Sequence, residues 1–209
     1  MVTVRIYVEG GGDSASLHVL CREGFSRFLK RAGFEGRMPR IVACGSRRAA
    51  HDRFRMACEH PHSDGDVALL LIDSERPVGD EPSPWAFLAR NPEDRFDKPA
   101  NATDDHCHLM VVCMESWFLA DKGVLCTFFG KDFRPQALPQ NPRVESIAKD
   151  DVLSGLEKAS AGCRSGRYAK GVPSFHILQV ISPAKVAEAS PWAKRFLDTL
   201  ARFMETPTA

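Results

Sequence analysis

Acidic side chains stand at the ends of predicted strands, and their types suggest metal chemistry. Glu9 and Asp13 flank three glycines in VEGGGD, Asp73 and Glu75 close the apolar run LLLIDSE, and Glu115 follows VVCM. The carboxyl ends of parallel strands meet at one edge of a sheet, so we expect these carboxylates to converge in one crevice. They cannot all stay ionised there without a counter-charge. A divalent cation would supply it, and oxygen ligands suit Mg²⁺ or Mn²⁺.

Each of these acids also has a structural explanation. Acids at strand ends often form turns or cap helices, and Asp13 could simply begin the first helix. A helix-start or salt-bridge role explains Glu115 as well as a site role does. Asp73 and Glu75 are two residues apart, so they point to the same side if the extended conformation continues. For Glu9, Asp73 and Glu75 taken together we favour the metal site.

The elements that must position these acids alternate between strands and helices. Apolar, β-branched segments predict strands at 2–8, 40–45 and 66–75 and a fourth beginning at 106. Helical periodicity predicts a first helix that begins at Ser14 or Ser16 and ends at Gly33, and a second over 46–60. The order β-α-β-α-β predicts an α/β fold with a parallel sheet.

The second half of the chain reads as mainly helical. A proline-rich excursion over 76–105 contains one short predicted helix, Pro84 to Arg90, and a proline-rich connector covers 133–143. We predict a helix over 149–160 and two amphipathic helices over 174–204, the second beginning at Ser190-Pro191. We therefore expect an α/β core over 1–125 and a helical extension over 126–209, packed together as one compact unit.

Composition predicts an ordinary globular protein of the cytoplasm. The chain has 209 residues, of which 44% are hydrophobic and 26% charged. Its seven cysteines are scattered and form no CxxC pair, which argues against a disulfide framework. No apolar run approaches the roughly 20 residues that a bilayer requires, and no signal-peptide pattern begins the chain. With a net charge of +1, nucleic acid would have to bind to a local basic patch.

Two of the quoted motifs resemble those of the Toprim domain, the metal-binding module of topoisomerases, primases and overcoming-lysogenization-defect nucleases. VEGGGD resembles its strand-glutamate-glycine motif and LLLIDSE its strand-DxD motif, with Glu75 in place of the second aspartate. Nearly the whole chain is similar to an uncharacterised, Toprim-like bacterial family, domain of unknown function 4276. That similarity extends to RIVACGSRR, MESWFLAD, GRYAKG and SPWAKRFLDTL. It implies a Toprim-like parallel sheet flanked by helices, with a helical C-terminal extension.

The resemblance implies a metal-dependent nuclease acting on DNA or RNA. Asp73 and Glu75 would hold one Mg²⁺ or Mn²⁺, and Glu9 would either join them or act as general base or acid. Asp13 and Glu115 could complete a second metal position. Two such ions would polarise a phosphodiester and stabilise the attacking and leaving oxygens.

The same analogy assigns phosphate contacts. Gly10, Gly11 and Gly12 would let the backbone approach a phosphate, and Arg47 would contact it from the second strand's end. Toprim nucleases use a late lysine, for which Lys170 is the best candidate by type and context. Together with Lys170, the loop arginines Arg164 and Arg167 suit phosphate contact and transition-state charge. A solvated surface turn explains this basic loop equally well.

Two other ligands fit parts of the sequence. Gly10, Gly12 and Ala15 satisfy the GxGxxA fingerprint of dinucleotide-binding proteins. Carboxylates flank the place of the pyrophosphate, however, and the second strand ends 35 residues after Gly10, whereas about 20 are expected. DDHCH offers His106 and His108 to zinc, but no second ligand pair has a recognisable spacing. Hydrogen-bonded histidines explain that segment better.

A non-catalytic or conditionally active subunit is the alternative to a nuclease. Toprim relatives of this type often work beside an AAA- or ABC-type ATPase, in some cases in antiviral defence. The amphipathic tail SPWAKRFLDTLARFM could contact such a partner, although its aromatic face is more often core. A nuclease should act with a metal alone, whereas a partner subunit should be silent until its ATPase is added.

Overall fold

The computed structural model describes residues 3–61, 63, 65–81, 83–91, 94 and 96–205. Its centre is a four-stranded, all-parallel sheet in the order β2-β1-β3-β4. The strands are β1 (Val4–Val8), β2 (Arg40–Ala43), β3 (Val67–Asp73) and β4 (Cys107–Met110). The predicted α/β fold with a parallel sheet flanked by helices is confirmed. The predicted start of the first strand, at Val2, lies outside the described residues.

Eight helices of the described residues surround this sheet. They are α1 (Ala15–Leu29), α2 (Arg47–Glu59), α3 (Pro84–Ala89), α4 (Lys122–Phe129), α5 (Lys149–Ser160), α6 (Val172–Val180), α7 (Pro183–Ala189) and α8 (Pro191–Glu205). A π-helical turn, Lys30–Phe34, continues α1, and a 3-10 segment, Met114–Asp121, precedes α4. α1 packs against α6, α2 against β3, and α8 against β4. Helices thus cover the sheet, and its central strands are correspondingly apolar.

The strand order creates a crevice beside β1. The chain leaves β1 for β2 on one side, and after β2 it returns to β3 on the other side of β1. Right-handed crossovers to opposite sides carry α1 and α2 to opposite faces of the sheet. The carboxyl ends of β1 and β3 therefore form a topological switch point, where open parallel sheets leave room for a ligand.

The C-terminal region has one more helix than the sequence predicted. We expected two helices over 174–204, but three are present, α6, α7 and α8. The break falls at Ser182-Pro183, where the Ser182 hydroxyl accepts a hydrogen bond from Lys185 N and Pro183 occupies the first helical position. Proline cannot continue a preceding helix but is well suited to begin the next one. The same serine–proline signal, eight residues later at Ser190-Pro191, predicted the start of the last helix, whereas the one at Ser182-Pro183 was not recognised.

The later helices pack against the first half of the chain, since α8 contacts β4 and α6 contacts α1. A boundary near residue 125 between a core and an extension stays a prediction. No helix among the described residues is long and apolar enough to cross a membrane.

Candidate functional site

Two predicted ligands meet where β1 and β3 end. Glu9 directly follows β1, and Asp73 is the last residue of β3. The Asp73 amide donates a hydrogen bond of 3.0 Å to Glu9 Oε2, and Met114 N donates one of 2.9 Å to Asp73 Oδ1. The two carboxylates are therefore neighbours on one rim of the sheet, each held by a backbone amide.

Glu75 joins them by a turn instead of an extended strand. β3 stops at Asp73, and Glu75 has a left-handed backbone with φ 67°, which side chains other than glycine rarely adopt. Its amide donates 2.8 Å to Val112 O. Glu9, Asp73 and Glu75 each offer a carboxylate oxygen within 4.8 Å of the other two. We call these three residues the acidic triad; its spacing suits one divalent cation with oxygen ligands.

Two of the three triad residues line a pocket of about 300 Å³, which we call the rim pocket. Glu9 and Asp73 line it, together with the glycine loop 10–12, Glu115, Lys170 and Phe175. Residues from the sheet edge and from the loop before α6 thus share one cavity. The structure brings Glu9, Asp73, Glu115 and Lys170 together, although they are far apart in the sequence.

Glu115 has one oxygen satisfied and one left over. Glu115 is 1% exposed. Its Oε1 accepts hydrogen bonds from the Tyr168 hydroxyl at 3.0 Å and from Ser174 Oγ at 3.3 Å. Oε2 has no hydrogen-bond partner in the part of the chain that the structure describes; Lys170 Nζ is 3.6 Å away. A buried carboxylate oxygen without a hydrogen bond is costly, and in a pocket it indicates a place for a ligand.

Burial and neighbouring like charges disfavour the ionised form of the triad carboxylates. Burial raises the pKa of Glu9 to about 7. Burial, reinforced by the nearby carboxylates of Glu9 and Glu115, raises the pKa of Asp73 well above its usual value. A divalent cation would remove this penalty by favouring the ionised forms. The donor set and its charge therefore fit Mg²⁺ or Mn²⁺.

Two lysines supply positive charge to the rim. Lys149 Nζ lies 2.5 Å from Glu75 Oε2 and 3.9 Å from Asp73 Oδ2. Burial opposes the charge of Lys170, but the carboxylates of Glu115 and Asp73 outweigh it, so that the pKa of Lys170 is raised. Lys170 was among the predicted site residues, whereas Lys149 was not. The available signal was a lysine at the first position of a helix, where the helix dipole disfavours positive charge.

The glycine loop is tied to the end of β2. Gly10 and Gly45 exchange two backbone hydrogen bonds of 2.9 Å, so the Gly10 amide is already engaged. Gly10, Gly11 and Gly12 all have positive φ, and a Cβ on Gly11 would lie 2.4 Å from the His18 ring. Glycine is thus required here by backbone conformation and by the close approach of His18. Phosphate contact by this loop stays a prediction.

Several predicted site residues lie elsewhere. Asp13 is exposed and belongs neither to the acidic triad nor to the pocket lining. Arg164 and Arg167 are exposed and do not line the pocket. Arg47 donates to the Asp73 carbonyl and pairs with Asp94, so its guanidinium holds the end of β3 from outside the pocket. Its observed contacts are those of a residue that positions Asp73.

The histidines weighed as zinc ligands have structural partners. His106 Nδ1 accepts 3.0 Å from Thr103 N, and His108 is fully buried between Arg195 and the Asp105 carbonyl. Among the described residues, only the acidic triad forms a group with metal-ligand spacing. These contacts agree with the interpretation of DDHCH as hydrogen-bonded histidines.

Comparison with known proteins gives a family without an assigned activity. No curated protein matches the chain, and no solved structure matches it either. A family model does match residues 8–201, which include the acidic triad, Glu115 and Lys170. The chain belongs to this family, described as a domain of unknown function, DUF4276.

Proposed function

We propose that the rim pocket binds Mg²⁺ or Mn²⁺ and that the protein hydrolyses phosphodiester bonds of nucleic acid. The observation that carries the proposal is the acidic triad, whose three carboxylates offer oxygens within 4.8 Å of one another. Glu115 Oε2, which lacks a hydrogen-bond partner among the described residues, lies in the same pocket and supports the proposal independently. The Toprim-like sequence motifs imply the same role, since that resemblance assigns metal ligation to Glu9, Asp73 and Glu75.

The chain's own residues suit this chemistry. A divalent cation, when bound, polarises a phosphodiester and makes water a better nucleophile. Asp73 is fixed for ligation, because Met114 N donates to its carboxylate and Arg47 to its carbonyl. Burial raises the pKa of Glu9 to about 7 in the metal-free protein, and a bound cation would favour its ionised form as a ligand. Since Asp13 does not belong to the acidic triad, the proposal requires only one cation.

Positive charge beside the triad favours a phosphate as the substrate group. Lys170 lines the pocket and can stabilise the charge that develops on phosphate oxygens. Arg164 and Arg167 are exposed on the same loop and are available to contact backbone phosphates beyond the cleaved bond. A polymer with a repeated phosphate backbone uses both groups, which a small phosphate ester would not.

The test combines metal binding with cleavage. The chelator-treated protein should gain thermal stability from Mn²⁺ or Mg²⁺ and should then degrade labelled DNA or RNA. Asp73→Asn should abolish both effects, because the amide keeps an oxygen for Met114 N but loses the charge that binds the cation. Asp132→Asn is the matched control, since it removes an exposed carboxylate far along the chain from the triad.

The outcomes separate the candidate functions. Absence of metal stabilisation in the wild type would remove the proposal entirely. Metal stabilisation without cleavage of single-stranded or double-stranded DNA or RNA would favour the alternative, a subunit that acts only with an ATPase partner. Cleavage that persists in Asp73→Asn would place the chemistry in a different part of the protein.

A further inference from the structure

Among the described residues, Lys149 makes the shortest contact between a cation and a side-chain carboxylate of the acidic triad. It is the first residue of α5 and follows Glu75 by 74 residues in the sequence, and its ammonium lies 2.5 Å from Glu75 Oε2. Asp73 Oδ2 is 3.9 Å from the same ammonium. The side chains of Lys149 and Glu75 are 23% and 36% exposed, so this contact is partly shielded from water.

The start of α5 does not favour a lysine for its own sake. The positive end of the helix dipole lies there, and acidic residues are preferred in the first turn. Asp150 and Asp151, the next two residues, follow that preference, whereas Lys149 does not. Attraction to Glu75 and Asp73 is therefore what holds the ammonium in place.

A divalent cation and the Lys149 ammonium compete for the same carboxylates. Mg²⁺ ligates oxygens at about 2.0–2.1 Å. An ammonium in contact with the same carboxylate would therefore be repelled at short range by the double positive charge of the metal. Lys149 has a flexible four-carbon stem and can move aside without displacing the helix. Lys170 differs, because its partner is Glu115, which lies outside the triad.

We propose that Lys149 is an internal cation that holds the acidic triad until a metal displaces it. Once displaced, its ammonium lies beside the bound metal and is free to contact an anionic group of the substrate. This inference rests on the proposed metal site and adds to it a residue that sets the metal affinity. Lys149 is a positioning residue in the resting protein, since it acts through Glu75 and Asp73.

The first experiment measures Mn²⁺ affinity by calorimetry in three proteins. Lys149→Met should bind Mn²⁺ more tightly than the wild type, by about fivefold or more, because the competing cation is gone. Lys158→Met is the matched control, since Lys158 is an exposed lysine on the same helix. Its affinity should stay within about twofold of the wild type, as a distant exposed charge is screened.

The second experiment needs no variant and therefore does not depend on the folding of Lys149→Met. Brief acetylation followed by mass spectrometry reports how accessible each amine is in the wild type. Mn²⁺ should raise the labelling of Lys149 severalfold relative to Lys158, because displacement frees an amine that the carboxylates had held. A lysine with a purely structural role would be labelled at the same rate with and without the metal.

The possible results separate this inference from the proposed function. If wild type and Lys149→Met both fail to bind Mn²⁺, the metal site and this inference fall together. If the wild type binds Mn²⁺ but Lys149→Met binds it equally or more weakly, only the inference is overturned. Mn²⁺ binding with unchanged labelling of Lys149 would overturn it in the same way.

Discussion

Two regions of the sheet bury charged groups, and they do so in opposite ways. Where α8 packs on β4, His108 accepts 3.0 Å from Arg195 Nη1 and its Nε2 lies 3.0 Å from the Asp105 carbonyl. Arg195 also donates to the carbonyls of Cys107 and Asp104. We call this group the α8 network. These hydrogen bonds join donors to acceptors. At the rim pocket, in contrast, carboxylates lie beside one another, and one Glu115 oxygen has no hydrogen bond within the described part of the chain.

The difference indicates what each region is for. A polar network whose donors and acceptors are paired with one another stabilises the fold and leaves no group to bind a ligand. A cluster of like charges that is incompletely satisfied destabilises the empty protein and is relieved by binding. Changes at the α8 network should therefore lower stability without affecting metal binding, and changes at the rim pocket should weaken metal binding without lowering the stability of the metal-free protein.

The largest effect on metal binding is expected for Glu9→Gln. The amide oxygen can still accept from the Asp73 amide, but one of three charges in the acidic triad is lost. Since losing an outer-shell partner already costs about 10- to 100-fold in metal affinity, we expect at least that loss here. Mn²⁺ titration calorimetry measures it, with the exposed Glu23→Gln as control. Unchanged affinity would mean that Glu9 is not a ligand.

Arg195→Met should break the α8 network and leave the rim pocket intact. Three acceptors lose a donor, namely the carbonyls of Cys107 and Asp104 and the ring of His108. We expect the free energy of unfolding to fall by about 3 kcal/mol, as for buried groups left unsatisfied. Denaturant titration measures this loss. The control is Arg55→Met, which removes an exposed arginine and should change the free energy of unfolding by less than about 0.5 kcal/mol. A loss of metal affinity in Arg195→Met would contradict the contrast between the two regions.

The α8 network should also make stability depend on pH. Burial, and then the positive charge of Arg195, lowers the pKa of His108 to about 3. The unfolded chain takes up a proton on His108 below a pH of about 6.5. The free energy of unfolding should therefore fall by about 1.4 kcal/mol per pH unit from there towards pH 3. His108→Gln, which cannot titrate, should show a shallower slope in denaturant titrations between pH 6.5 and 4.5. An equal slope would show that His108 is not the titrating group.

The smallest effect is a gain in stability from Asp73→Asn in the presence of a chelator. Burial and the carboxylates of Glu9 and Glu115 raise the pKa of Asp73, so its ionisation costs folding energy at pH 7. Asparagine avoids this cost and should stabilise the metal-free protein by about 1 kcal/mol, or roughly 2–4 °C in melting temperature. The gain should shrink as the pH falls towards about 4, where the unfolded aspartate also takes up a proton. A less stable variant at pH 7 would indicate that attraction to the lysines dominates.

Local patterns predicted the frame of the candidate site. The apolar run of β3 and the glycines after β1 located both strand ends, and the β-α-β-α-β order placed those ends on one rim. α5 has the predicted bounds, 149–160, because its periodicity and first-turn acids are local signals. Each of these features depends on neighbours within a few residues.

Contacts across the chain could not be predicted in this way. Nothing near Glu115 in the sequence reveals that Tyr168 and Ser174 donate to it. Arg47 was predicted to contact phosphate. Its pairing with Asp94 could not be predicted, because it depends on how the long segment after β3 folds back. Glu75 reaches the triad through a left-handed turn, which its sequence gave no reason to expect. The sequence thus identified the acids of the site and missed most of the groups that orient them.

The hydrogen bond from the Asp73 amide to Glu9 turns the sheet edge into a sensor of its own ligand. At this position β3 donates to an ionisable side chain, where a strand pair normally uses a backbone carbonyl. A proton or a cation that draws electron density from the Glu9 carboxylate weakens it as an acceptor. The nuclear magnetic resonance of that single amide, and its exchange with deuterium, would therefore change with occupancy of the crevice before any larger movement of the chain.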